Sequence, residues 1–258
     1  MGTVDRYPPG TFCWVDLGTP DVEGAQAFYG GLFGWEFADV GTAEAPYVLC
    51  RVQGEDVAGI HAHPDDEGHD WTSYVSVEDA DATQARAAEL GGEAVGPAAD
   101  LPGTARVGVI RDPFGVELVA WQPAGFDGAS LVNEPGAWTW NELTAPSLPD
   151  AASFYGGLFG WTVEEAPGGA RAAFGLGELL VGGVHEPFVP EDPPRWTVAF
   201  WVDDVHHSVA LVEDLGGRIL LPPTDIPVGR FAIVADPRGT SFTISAVPGG
   251  ALRGVDGS

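Results

Sequence analysis

The chain has 258 residues, with 38 acidic side chains against 11 basic ones and a formal net charge of −27 at pH 7. All 11 basic residues are arginine, so the lack of lysine removes Schiff-base chemistry and any lysine general base. Nucleic-acid phosphates and anionic lipid surfaces need clustered Lys and Arg, so neither nucleic acid nor membrane is an expected partner.

Nothing in residues 1–10 has the basic-then-apolar order of a signal peptide, and no run of about 18 apolar residues is present. Two cysteines, Cys13 and Cys50, are too few for a disulfide framework and read as small buried hydrophobes. The expectation is a cytoplasmic protein with a packed core, since 45% of its residues are hydrophobic and 10% aromatic.

In chain order, an alternating segment from Phe12 to Leu17 predicts a strand. Pro20-Asp21 opens a helix in which Val22, Ala25, Phe28, Tyr29, Leu32 and Phe33 recur at helical spacing, ended by Gly30-Gly31 or Gly34. Strands follow at Tyr47 to Val52 and Val57 to Ala62. The same order returns with a strand Thr72 to Val77, a cap at Asp79, a helix to Leu90 stopped by Gly91-Gly92, and strands near Ala105 to Ile110 and Val116 to Trp121. Third and fourth rounds begin at Ala137 and Trp196.

Residues Phe28 to Trp35 read FYGGLFGW, and the same eight letters return at Phe154 to Trp161, displaced by 126 positions. Pro9-Gly10 likewise matches Pro135-Gly136, Leu90-Gly-Gly92 matches Leu215-Gly-Gly217, and Asp112-Pro113 matches Asp236-Pro237. Two homologous halves account for the length: domains at 11–122 and 137–247, a linker at 123–136 and a tail at 248–258. Each half is itself doubled, giving four βαβββ units.

This order of strand, Pro-Asp, FY and LFGW, with the Asp-Pro-Phe-Gly turn at Asp112 to Gly115, resembles the vicinal oxygen chelate superfamily of glyoxalase I, bleomycin-resistance proteins and extradiol dioxygenases. It is most similar to the tandem two-domain actinobacterial type. The resemblance implies an α+β fold in which the units pair into two curved mixed sheets around cavities. It also implies where metal ligands would stand: Trp14 and Trp140 on the first strands, Thr72 and Thr197 on the first strands of the following units, and Val119 and Thr243 late in the sheet. Indole offers no free lone pair and valine none at all, so no metal is expected. A register slip of two would bring Glu117 to the place of Val119.

Alternate residues of a strand share a face, which predicts that Phe12, Trp14 and Asp16 line one cavity and Trp138, Trp140 and Glu142 the other. Thr72 and Tyr74 would face the first group, Thr197 and Ala199 the second. An aromatic wall with one carboxylate suits a flat aromatic ligand; the plainer alternative is that the tryptophans fill the core. His61 and His185 occupy matched strand ends, where an imidazole would serve as donor or general base or simply sit at the rim. His63 could join His61 in a two-His metal element. His69, His206 and His207 read as surface residues. No nucleophile elbow, phosphate loop, Cys-x-x-Cys pair or Rossmann fingerprint occurs, and no cofactor is expected.

The expected function is metal-free binding of a neutral or cationic aromatic small molecule, such as a polyketide-type antibiotic or metabolite, for drug sequestration, self-resistance or biosynthetic support. The alternative is a glyoxalase-like lyase or isomerase, or a hydroxylase, with Asp16 or Glu142 as base assisted by His61 or His185. Asp16 against Glu142 and Tyr74 against Ala199 leave room for one half to be a structural copy, and the Asp-Pro-Phe-Gly turn and Tyr74 favour the first as the working cup. Duplication replaces the dimer partner of single-module relatives and predicts a monomer.

Overall fold

The structure, a computed structural model, describes residues 2–42, 45–63, 70–166, 170–189, 192–227 and 229–246. His69 and the tail 248–258 lie outside the described residues. The first unit runs β1 (Phe12–Thr19), α1 (Val22–Phe33), β2 (Glu36–Asp39), β3 (Tyr47–Val52) and β4 (Glu55–Ala62). The second runs β5 (Asp70–Ser76), α2 (Ala80–Glu89), β6 (Glu93–Ala94), β7 (Ala99–Leu101), β8 (Ala105–Arg111) and β9 (Glu117–Pro123). The third has β10 (Trp138–Thr144), α3 (Leu148–Phe159), β11 (Thr162–Glu165), β12 (Arg171–Leu176) and β13 (Leu179–His185). The fourth has β14 (Arg195–Trp201), α4 (Val205–Asp214), β15 (Arg218–Ile226), β16 (Gly229–Ala235) and β17 (Ser241–Ala246).

Each half is one open mixed sheet, in the order β2-β3-β4-β1-β5-β9-β8-β6 and β11-β12-β13-β10-β14-β17-β16-β15. Two units meet at the antiparallel pair β1/β5 or β10/β14, while β1/β4 and β5/β9 run parallel, as do β10/β13 and β14/β17. The helices start where short polar side chains satisfy orphan N–H groups: Asp21 accepts from Gly24, Asp79 from Ala82, Ser147 from Asp150, and Asp204 from His206 and His207. Helix α1 stops at Gly34, whose φ of 70° is the left-handed cap, so Gly30-Gly31 lies inside the helix.

The repeated octapeptide is the seam between the halves. Tyr29 donates its hydroxyl to Asp236 Oδ2 of the other half (3.2 Å) and accepts the Trp71 indole N–H (3.2 Å); Tyr155 donates to Asp112 Oδ2 (2.7 Å) and accepts from Trp196 (3.1 Å). Trp35 donates to the Gly136 carbonyl and Trp161 to that of Gly10, both at 2.7 Å. A Cβ on Gly31 would stand 2.9 Å from Leu215 and one on Gly157 would stand 2.8 Å from Leu90, so these glycines let α1 meet the end of α4 and α3 the end of α2. The repeats in sequence are thus reciprocal contacts: Pro-Gly, Leu-Gly-Gly and Asp-Pro of each half receive the octapeptide of the other. Among the described residues no helix is long and apolar enough to cross a membrane.

Candidate functional site

Both central strands carry a bulge near their start, between Phe12 and Trp14 on β1 and between Trp138 and Trp140 on β10. One extra residue shifts the alternation, so side chains before it turn to the other face. The expectation that Phe12 and Trp138 line the cavities is corrected here. Phe12 packs on Trp161 (5.5 Å) and Trp196 (5.1 Å) of the other half, and Trp138 donates to Asn141 Oδ1 (2.7 Å), whose amide reaches Ser73 across the seam.

Beyond the bulge the alternation holds. In register, Trp14 faces Tyr74, Asp16 faces Thr72, and Tyr74 faces Val119. Asp16, 2% exposed, lies in the middle of β1 between β4 and β5. Its Oδ2 accepts the hydroxyls of Tyr74 (2.8 Å) and Tyr47 (3.0 Å), and His61 Nδ1 stands 3.6 Å from the same oxygen. Trp14 donates its indole N–H to the Tyr47 hydroxyl (2.9 Å). The other carboxylate oxygen, Oδ1, is buried and has no hydrogen-bond partner among the described residues. A buried carboxylate oxygen without a donor is costly to leave unsatisfied.

Rings close around this group. Phe126, from the segment joining the halves, stands edge-on to Trp14 at 5.0 Å and to Trp121 at 6.0 Å, and its carbonyl takes the Trp121 N–H (3.0 Å). Trp121 in turn meets Tyr74 edge-on at 5.6 Å. The rings of Tyr47 and His61 are parallel at 6.2 Å. Gly59 makes room for this: a Cβ there would be 2.2 Å from the Tyr47 hydroxyl.

Burial, then the charge of Asp16, pushes the Tyr47 and Tyr74 hydroxyls well above their ordinary range, so both remain protonated donors. The neighbouring Asp16 carboxylate raises His61 above the ordinary imidazole value against the opposing effect of burial. Sequence reasoning did not find Tyr47 or Phe126. The first required the β3/β4 register that sets Tyr47 opposite His61, and the second sits in what reads as linker.

The C-terminal cup keeps the backbone and changes the side chains. Glu142 faces Thr197 and accepts the Trp140 indole N–H (2.7 Å). Arg171, opposite His185 as Tyr47 is opposite His61, turns out over the Phe188 ring (5.4 Å). His185 contacts Thr144 Oγ1 (3.3 Å) and the Glu186 carbonyl (2.8 Å), and Ala199 faces Trp140 where Tyr74 faces Trp14.

At the positions where the resemblance places metal ligands, the residues present do not fit a divalent ion. Trp14 and Trp140 use their only polar hydrogen as donors, Val119 has no lone pair, and only the hydroxyls of Thr72, Thr197 and Thr243 remain. Glu117 does not slip into place: it pairs with Arg111 at 2.6 Å. The His61 and His63 rings lie 6.5 Å apart, and among the described residues no group of three or more His, Cys, Asp or Glu could hold a metal.

The profile of the Glyoxalase/Bleomycin resistance protein/Dioxygenase superfamily matches residues 11–119 and 139–244. The chain is 38% identical over 249 residues to CFP32 of Mycobacterium bovis, provisionally named a glyoxylase, covering 93% of this chain and 95% of the relative. It is 32% identical over 258 residues to the anthracycline biosynthesis protein DnrV of Streptomyces peucetius, covering 93% and 94%. Among solved structures, the Mn(II)-bound glyoxalase from Novosphingobium aromaticivorans superposes with a TM-score of 0.69 at 17% identity, over 92% of this chain and 82% of the other. The 2,3-dioxygenase LapB from Pseudomonas sp. KL28 gives 0.66 at 16%, over 98% and 96%. With two matched repeats covering most of its length, the chain belongs to the glyoxalase/bleomycin resistance protein/dioxygenase superfamily.

Proposed function

We propose that this protein is a metal-independent member of its superfamily that holds a flat, hydrophobic aromatic molecule in the N-terminal cup. Its role is to sequester that molecule, as in self-resistance, or to present it within a biosynthetic pathway. The observation that carries this reading is the buried Asp16 carboxylate, with Oδ1 unpartnered, beneath Trp14, Tyr74, Trp121 and Phe126. Aromatic faces supply stacking area and the single polar anchor fixes orientation. The relative named for anthracycline biosynthesis supports a polycyclic polyketide as the ligand class. The seam between the halves takes the place of a dimer interface, and the protein acts as a cytoplasmic monomer.

Calorimetric and tryptophan-fluorescence titrations with anthracycline-type compounds test this. Saturable binding of one ligand per chain, unchanged by a metal chelator, is expected. No saturable binding across several polycyclic classes, or binding that a chelator abolishes and added metal restores, overturns it.

One observation favours a second reading. His61 beside Asp16 is an acid next to a base, as a lyase, isomerase or hydroxylase working through Asp16 would need. Turnover of a bound ligand that Asp16→Asn abolishes without abolishing binding would establish it.

A further inference from the structure

The unpartnered oxygen of Asp16 calls for a hydrogen-bond donor, and two ligand chemistries supply one: a neutral hydroxyl and a protonated amine. The neighbours of the carboxylate discriminate between them. Oδ2 already receives two tyrosine hydroxyls, and the His61 imidazole stands 3.6 Å away with 31% of its side chain exposed. A proton held on His61 balances the carboxylate locally, leaving Oδ1 with hydrogen-bonding capacity but without a net negative charge to attract a cation. An ammonium seated on Oδ1 would lie next to an imidazolium of the same sign.

We propose that the cup selects a neutral hydroxyl, above all a phenol, over a cationic amine, with Asp16 Oδ1 as acceptor and His61 as the residue that excludes the cation. This rests on the aromatic-cup reading above. The rise of the His61 pKa caused by Asp16 agrees with it. Other titratable groups around the pair are Cys13 on β1, Tyr47 and Cys50 on β3, Tyr74 and the exposed Asp70 on β5, and His63 beyond β4. Burial keeps the two thiols and two phenols protonated, so they add no charge. The net charge of −27 draws cations toward the protein as a whole. At physiological salt that field is screened beyond about 8 Å, and the choice at the carboxylate falls to the local pair.

Three probes of one ring system decide it: 2-hydroxyanthraquinone, its methyl ether and its aminomethyl analogue, titrated by tryptophan fluorescence below the ordinary imidazole pKa of about 6.5. The hydroxyl probe is expected to bind about tenfold or more tightly than the ether, because it alone gives a neutral donor to a charged acceptor, and more tightly than the amine. His61→Gln should raise the affinity of the amine relative to the hydroxyl, and Asp16→Asn should narrow the gap between hydroxyl and ether, since an amide oxygen is the weaker acceptor. An amine that binds the unaltered protein most tightly overturns the proposal, as does equal binding of all three, which leaves the aromatic cup standing. Failure of all three to bind removes both. The probe series on the unaltered protein is decisive even where a variant fails to fold.

Discussion

The two halves share a backbone, a strand order and an octapeptide, yet only one gathers its polar side chains. In the N-terminal cup the short Asp16 stays 2% exposed and holds Tyr47, Tyr74 and His61 around it. In the C-terminal cup the longer Glu142 folds onto the indole of its own strand neighbour Trp140, in the space above Gly183, where a Cβ would be 2.5 Å from its carboxylate. Arg171 and Ala199 stand where the two tyrosines would have met it, and Arg171 leans on Phe188 instead. The octapeptide of the seam is identical in both halves, while the residues around the inward carboxylate differ at Asp16 against Glu142, Tyr47 against Arg171 and Tyr74 against Ala199.

The largest expected effect that tests this contrast is on stability. Trp14 is 1% exposed, and Trp14→Ala should cost about 3–5 kcal/mol in denaturant unfolding, against clearly less for Trp140→Ala, whose side chain is only partly buried. Equal losses would mean that the cups are equivalent. Next comes the seam: Tyr155→Phe strips a 2.7 Å donor from buried Asp112 and an acceptor from Trp196, at about 1–3 kcal/mol. Tyr29→Phe, with its longer 3.2 Å bond to Asp236, should cost less, and the reverse order would contradict the geometry.

Smaller still is the effect on ligand. Asp16→Asn should weaken binding of a hydroxylated polycyclic by about tenfold, or about 1.4 kcal/mol, while Glu142→Gln leaves it unchanged. Loss of binding from the second substitution would move the site to the other half. The smallest effect is a pH dependence. Because the folded His61 pKa is raised, its stabilising contribution is fully present below the unfolded value of about 6.5 and is lost as pH rises through the folded value. The stability difference between the unaltered protein and His61→Gln should therefore shrink as pH rises through that window; a flat difference would show that the pair carries no charge.

Much of the candidate site was legible in the sequence. Strand alternation put Trp14 and Asp16 on one face, the family resemblance set Thr72 and Tyr74 opposite them, and the internal repeat matched His61 with His185. The bulges at Cys13 and Thr139 were not legible, since nothing in FCW or WTW marks an inserted residue, and they sent Phe12 and Trp138 into the seam. Tyr47 was readable as a strand residue but not as a partner of Asp16, because a hairpin's register depends on the pairing of β3 with β4.

The sequence by itself determined the four units and the duplication, which follow from spacing and from the repeated letters. Only the tertiary structure decided that the repeated letters are a reciprocal clamp and that one carboxylate oxygen is left unpaired. Both depend on residues more than 30 positions apart meeting at hydrogen-bond distance, from Tyr47 to Asp16 and from Tyr29 to Asp236. That distance is set by how sheets pack and not by any local pattern.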